Sequence, residues 1–334
     1  METDPLTEQK KRILSGNRPT NYLHLGNYVG ALSNWVKLQD EYDCFFMVAD
    51  WHALMSEYKN PGDIGRFTRE MYIDWLSVGL DPERCVMFVQ SDVPQHAELH
   101  LILSAYCPIG WLERCPTYKE QMENLKHKEI NNYAFLGYPL LQTADIVLYD
   151  GEVVPVGQDQ LPHLELAREI VRRFNGLVDR EVLLEPEAKL TEFPLLLGVD
   201  NRKMSKSYDN FILLSEPEDS LRKKVMSMIT DPARVKKTDK GHPEVCNVCS
   251  YYKIFSPHDI PEVEDNCRNA TWGCTDCKRR LADRMVEYLA PVHEKRRELE
   301  ADPGALDAII EDGNTRARKA AAETMGRVRE ALGF

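Results

Sequence analysis

Short apolar runs alternate with amphipathic stretches through the first two thirds of the chain. Cys-Phe-Phe-Met-Val-Ala at 44–49 and Val-Met-Phe-Val-Gln at 86–90 have the length and β-branched or aromatic character of buried strands. Val-Val-Pro-Val at 153–156 reads as a third, with Pro155 marking a strand end. Between them, helical spacing predicts helices over 26–39, 64–78, 96–103 and 139–148. Strands separated by helices predict an α/β fold with a parallel sheet and crossover helices, whose ligands bind at the carboxyl ends of the strands. After about residue 212 the strand signals fade. Ser215-Glu-Pro-Glu218 has capping-box spacing and predicts a helix start. Leu281, Ala282, Met285, Val286, Leu289 and Val292 share one helical face, as do Ala317, Ala320, Ala321, Met325, Val328 and Leu332. The pattern predicts an α/β domain over 1–212 and an all-helical domain over 213–334, interrupted by a cysteine-rich insert over 246–277.

Composition narrows the class. Hydrophobic residues are 43% and charged residues 29%, ordinary for a globular protein. No apolar run has the length of a membrane span, and the opening residues are too charged for a secretory signal, so a cytoplasmic protein is expected. The net charge of -12 opposes a nucleic-acid partner, since phosphate binding relies on basic side chains. Basic residues nevertheless crowd two stretches: Arg222, Lys223, Lys224, Arg234, Lys236, Lys237 and Lys240, then Lys278, Arg279 and Arg280. Either a solvated helix face or a local basic surface accounts for them. Nine cysteines, five of them between 246 and 277, suit metal binding better than a disulfide framework.

Two motifs carry candidate chemistry. Around Arg18-Pro19-Thr20 and His24-Leu-Gly26-Asn27, a Gly-rich turn leads into a helix start, whose free N–H groups and dipole suit phosphate. Alone, a histidine and glycine there more often mean a surface loop. Lys203-Met204-Ser205-Lys206-Ser207 follows a turn-prone stretch and predicts a mobile loop suited to a departing polyanion. A third segment runs from Tyr138 through Gln142 and Asp145, three positions on or near one helix face. Burying Asp145 on an apolar helix demands a partner, whether a ligand donor or a neighbouring element.

The first two motifs together resemble the paired signatures of class I aminoacyl-tRNA synthetases. Nearly the whole chain, from Ile13 onward, is similar to the bacterial tryptophanyl-tRNA synthetases, including Ala49-Asp-Trp-His-Ala53, Thr117-Tyr-Lys119 and Val154-Pro-Val-Gly-Gln-Asp-Gln160. The resemblance implies a Rossmann-like catalytic domain, with ATP and Mg2+ as cofactors. It implies tRNA(Trp) and L-tryptophan as partners, a homodimer, and an anticodon-binding helical domain. It assigns catalysis to His24, Lys203 and Lys206. It assigns the indole N–H to Asp145, the ammonium to Tyr138 and Gln160, and the ring walls to Leu14, His52, Gln142, Val154 and Val156. ATP would meet Arg18, Pro19, Thr20, His24, Gly26, Asn27 and the loop from Lys203 to Ser207, with Gly157, Gln158 and Asp159 at its ribose. Arg18 and Gln142 depart from the family's frequent Gln and Met. Tyrosyl-tRNA synthetases share both motifs, and a non-catalytic tRNA-binding paralogue or a small-molecule nucleotidyltransferase are further alternatives.

The cysteines admit two ligand sets. Cys246-x2-Cys249 with Cys274-x2-Cys277 has the spacing of a tetrahedral Zn2+ site. Cys246, Cys267, Cys274 and Cys277 instead resemble the ligands of the [4Fe-4S] cluster carried by some tryptophanyl-tRNA synthetases, with 20 residues in the first gap where that pattern has 22. The second set is expected here.

Overall fold

The computed structural model describes residues 10–124, 130–190, 195–205 and 208–334. Five parallel strands, β1 (Arg12–Asn17), β2 (Asp43–Val48), β3 (Cys85–Val89), β4 (Val153–Val156) and β5 (Glu187–Leu190), form one sheet in the order β3-β2-β1-β4-β5. Helices sit on both faces. On β2, Phe45 and Met47 enter one core while Cys44, Phe46 and Val48 enter the other. That is why the strand reads as an unbroken apolar run: each face is covered, so neither parity can be polar.

Two strands escaped the sequence reading. β1 is the central strand, yet it offers only Ile13 and Leu14 between a charged residue and a turn-like Gly-Asn. Its Gly16 is required where β1 lies on β2, since a Cβ would stand 2.7 Å from the Met47 carbonyl oxygen. β5 is an edge strand, Glu-Ala-Lys-Leu, held by backbone pairing to β4.

The first helical run comprises α1 (Leu25–Asn27), a π turn (Tyr28–Leu32) and α2 (Ser33–Glu41). Next come α3 (Asp50–Glu57), α4 (Ile64–Ser77) and α5 (Gln95–Ser104). The short α6 (Ile109–Arg114) and α7 (Pro116–Asn124) precede α8 (Tyr133–Val147), which starts before its predicted position and keeps Pro139 inside it. α9 (Leu161–Val178) returns the chain to β5.

The remaining helices are α10 (Glu218–Ser227), α11 (Asn247–Phe255), α12 (Ile260–Arg268), α13 (Cys274–Ala301) and α14 (Pro303–Leu332). The capping box expected at Ser215 is absent. α10 starts with Pro217 at its N-cap, and Glu216 is buried, accepting bonds from Leu213 N (2.9 Å) and Lys224 Nζ (2.7 Å). A Pro one residue before the helix fixes an extended entry that a serine cap does not need. Leu221, Val225, Tyr251, Phe255, Leu281, Met285 and Leu289 build a third core, which also receives Leu25 and Met204.

α14 lies on the α/β part: Ala317, Ala321, Met325 and Val328 join the core of one sheet face. It covers the free edge of β3. Asn314 Oδ1 accepts the Val89 N–H at 2.9 Å, and Asn314 Nδ2 donates to Asp92 at 2.6 Å. Any side chain at Gly313 would collide with the Met87 carbonyl, so glycine sets the helix-to-strand distance. Buried Arg296 of α13 donates to Asp74 of α4 at 2.6 Å and also pairs with Glu70, a second tie between the two parts. Among the described residues no helix is long and apolar enough to cross a membrane.

Candidate active site

The carboxyl ends of β1, β2 and β4 open into a cavity of about 390 Å3. Leu14, Met47, Val154 and Val156 supply apolar walls from the strands, and Met55 and Phe135 close it from α3 and α8. The position follows from the parallel sheet, whose strand ends leave a crevice between adjacent crossovers.

Asp145 lies in this cavity's wall and is 1% exposed. Three donors hold it. Gln90 Nε2 (2.8 Å) and His96 Nδ1 (2.7 Å) meet its Oδ1, while His52 Nε2 (2.7 Å) meets Oδ2. Burial pushes the carboxyl up, but His52 and then His96 hold it below the usual carboxylate range. A buried carboxylate with such donors is tolerated because charge-assisted bonds replace its hydration. A carboxylate offers about four acceptor positions. Three are used, which leaves about one, on Oδ2, for a ligand donor. Gln90 orients its amide nitrogen to the acid and leaves its own buried carbonyl oxygen without a partner, a cost of about 1–3 kcal/mol that marks the orientation as imposed by Asp145.

Tyr138 and His163 line the cavity together, the phenol oxygen 3.3 Å from His163 Nε2. His163 Nδ1 lies 3.8 Å from the Cys115 sulfur. Burial lowers His163 to about 4, so it is a neutral imidazole at physiological pH.

His24, Gly26 and Asn27 do not line this cavity; they form the helix mouth beside it. His24 is the N-cap. Its Nδ1 accepts the Asn27 N–H (3.2 Å), and Asn27 Oδ1 accepts the His24 N–H (3.0 Å). An accepting Nδ1 puts the proton of a neutral imidazole on Nε2, the tautomer able to donate to an oxyanion. The second motif packs against this mouth. The buried Met204 sulfur accepts the Gly26 N–H at 3.3 Å, and Leu25 N and Leu23 O bond to Ile212 and Leu214. Asn210 organises the loop by accepting from Ser205 N (2.8 Å) and donating to Lys203 O (3.1 Å). Lys203 is exposed. Lys206 and Ser207 lie outside the described residues.

Of the residues singled out from sequence, Leu14, Arg18, His52, Tyr138, Gln142, Asp145, Gly157 and Gln160 line the cavity together, Arg18 at its exposed rim. Pro19, Thr20, Gln158 and Asp159 do not line it; Asp159 accepts from Gln160 Nε2 at 2.8 Å. Gln90, His96, His163, Met55 and Phe135 were missed. Gln90 and His96 had a usable signal, a polar residue ending an apolar strand and a histidine opening the next helix.

The model of the tRNA synthetases class I (W and Y) matches residues 6–290. A tryptophan–tRNA ligase of Thermotoga maritima is 49% identical, covering 96% of this chain and 98% of that one. A tryptophan–tRNA ligase of Ralstonia nicotianae is 42% identical, covering 97% and 98%. The chain belongs to the tryptophan–tRNA ligases. A crystal structure of tryptophanyl-tRNA synthetase from Campylobacter jejuni, complexed with ADP and tryptophan, superposes with a TM-score of 0.90 at 34% identity, covering 97% of this ligase and 100% of that chain.

The cysteine-rich segment of the ligase forms a second, smaller cavity. Cys246, Cys267, Cys274 and Cys277 line it with Arg234 and Trp272. Cys249 is absent from that lining and packs in the helical core. Burial, then crowding by neighbouring sulfurs, pushes Cys277 up to about 12. Arg234 Nη1 lies 3.9 Å from the Cys267 sulfur. A side chain at Gly241 would run into that sulfur, and Gly241 N donates to the Cys267 carbonyl at 2.9 Å. Among the described residues no three His, Cys, Asp or Glu side chains converge as the ligands of one metal ion.

Proposed function

We propose that this ligase activates tryptophan with ATP and esterifies the product to the 3′ end of tRNA(Trp). One observation carries the reading: a buried, anionic Asp145 with about one acceptor position left, in the wall of a largely apolar cavity. An indole has one N–H donor on an otherwise apolar ring, which matches that wall.

The substrate carboxylate attacks the α-phosphate in line, forming tryptophanyl-adenylate as the bond to pyrophosphate breaks. A ribose hydroxyl of the tRNA then attacks the adenylate carbonyl and AMP leaves. Positioning and charge stabilisation carry both steps, with no covalent enzyme intermediate. His24, with its proton on Nε2, donates to the phosphoryl oxygens. Lys203 and Lys206 stabilise the pyrophosphate, and Mg2+ enters bound to ATP. Tyr138 and Gln160 take the ammonium. Arg18, Pro19, Thr20, Gly26 and Asn27 bracket adenine and phosphates. Gly157, Gln158 and Asp159 face the ribose, and Met204, Ser205 and Ser207 complete the loop.

Amino-acid-dependent ATP–pyrophosphate exchange tests this. Exchange with tryptophan and not with tyrosine or phenylalanine is expected; exchange driven by tyrosine would refute it. Lys203→Ala is expected to cost about 2–4 kcal/mol of transition-state stabilisation, roughly 30- to 1000-fold in exchange, while tryptophan binding is retained.

For the second cavity we propose a [4Fe-4S] cluster held by Cys246, Cys267, Cys274 and Cys277, in preference to zinc. Support comes from these four sulfurs lining one cavity that Cys249 does not line. Its irons would supply the positive charge that crowded thiolates need. A homodimer and a cytoplasmic location complete the proposal, the first checked by sedimentation.

A further inference from the structure

We propose that His96, Tyr149 and Gln90 are positioning residues for amino-acid recognition: they fix the orientation of Asp145 so that its remaining acceptor faces the cavity. This rests on the reading of Asp145 as the acceptor of the indole N–H.

His96 is fully buried and does not line the cavity. Its ring stacks on Phe88 at 5.8 Å between centroids. Both of its nitrogens are engaged, Nδ1 with Asp145 Oδ1 at 2.7 Å and Nε2 with the Tyr149 hydroxyl at 2.8 Å. An ionised carboxylate can only accept, so Nδ1 carries a proton. A neutral His96 then accepts at Nε2 and Tyr149 donates. The result is a chain with one sense: Tyr149 O–H to His96 Nε2, His96 Nδ1–H to Asp145 Oδ1. A doubly protonated ring would reverse the first link, with Nε2–H donating to the Tyr149 oxygen, and leave the Tyr149 hydrogen buried without His96 as its acceptor. Tyr149 is itself immobilised, fully buried with Phe45 and Phe88 each at 5.0 Å.

Gln90 places a second N–H on the same oxygen. Oδ1 is therefore filled from behind the cavity wall. The carboxylate cannot turn about its Cβ–Cγ bond without breaking two bonds to buried donors. Oδ2, which takes His52 from the cavity side, is left in one orientation. A substrate N–H thus meets a preorganised acceptor, and no reorientation is needed on binding.

The test compares tryptophan with its analogue carrying sulfur in place of the indole N–H, by KM in pyrophosphate exchange. Tyr149→Phe keeps the ring and its packing and removes the first donor. It is expected to raise KM for tryptophan about tenfold and leave KM for the sulfur analogue unchanged, so discrimination narrows. Gln90→Met acts on the same oxygen from the other side and is expected to do likewise, which covers the case in which Tyr149→Phe does not fold. Equal rises for both substrates, or no change in a folded variant, would overturn the proposal. Asp145→Asn separates the two readings. If it abolishes discrimination while Tyr149→Phe and Gln90→Met do not, only the positioning role fails. If it leaves discrimination intact, the indole reading itself fails.

Discussion

The Asp145 cavity and the cysteine cavity set four-acceptor problems in two different ways. At Asp145 the chain supplies three donors of its own, and the acid is held below its usual range. Around the cysteines it supplies the Arg234 guanidinium at 3.9 Å from the Cys267 sulfur, and burial pushes the Cys267 and Cys277 thiols up, Cys277 to about 12. On the proposed reading of Asp145, a site for a neutral N–H can be finished by protein groups, because the guest brings no charge to balance. On the proposed cluster reading, the cysteine site needs a multivalent cation, because its ligands must all be anionic.

The sharpest way to break this contrast is Asp145→Leu. With the acceptor gone, the indole N–H is buried unpaired, and kcat/KM for tryptophan in exchange is expected to fall by roughly 10⁴-fold. A loss of under tenfold would mean the acid only braces the fold. The next is a pair. Cys267→Ser is expected to remove the brown colour and bound iron and lower the thermal midpoint, while Cys249→Ser keeps the colour. Stoichiometric zinc in a colourless wild type would end the cluster reading.

The smallest effect is in pH. His163 titrates at about 4 in the folded protein against 6.5 ordinarily. Its depressed value means the folded state resists protonation. The stability it permits is full above pH 6.5 and is lost progressively down to about 4, by about 3 kcal/mol in all. His163→Gln is expected to flatten that part of the profile of urea midpoint against pH. An unchanged slope would show that His163 is hydrated.

Legibility in the sequence followed charge and burial. β2 and β3 were readable because both of their faces are covered, which leaves apolar runs such as Phe45-Phe46-Met47. β1 was not, because its central place is set by neighbours and not by its own six residues. Asp145 stood out as a carboxylate on an apolar helix. His96 and Tyr149 did not, because a buried histidine and a buried tyrosine are each ordinary alone, and only their spacing in three dimensions makes a chain. Cys249 illustrates the same limit from the other side. Its two-residue distance from Cys246 has zinc-knuckle spacing, yet the first turn of α11 turns it into the helical core.

α14 seals an edge that was synthesised long before it. While the ribosome is still making the helical part, β3 presents bare amides to every neighbouring nascent chain, and the Val89 amide has no mate until Asn314 arrives. Chains stalled or clipped ahead of Gly313 should therefore be caught by holdase chaperones or aggregate through that strand, even though every residue of the catalytic cavity has already been made.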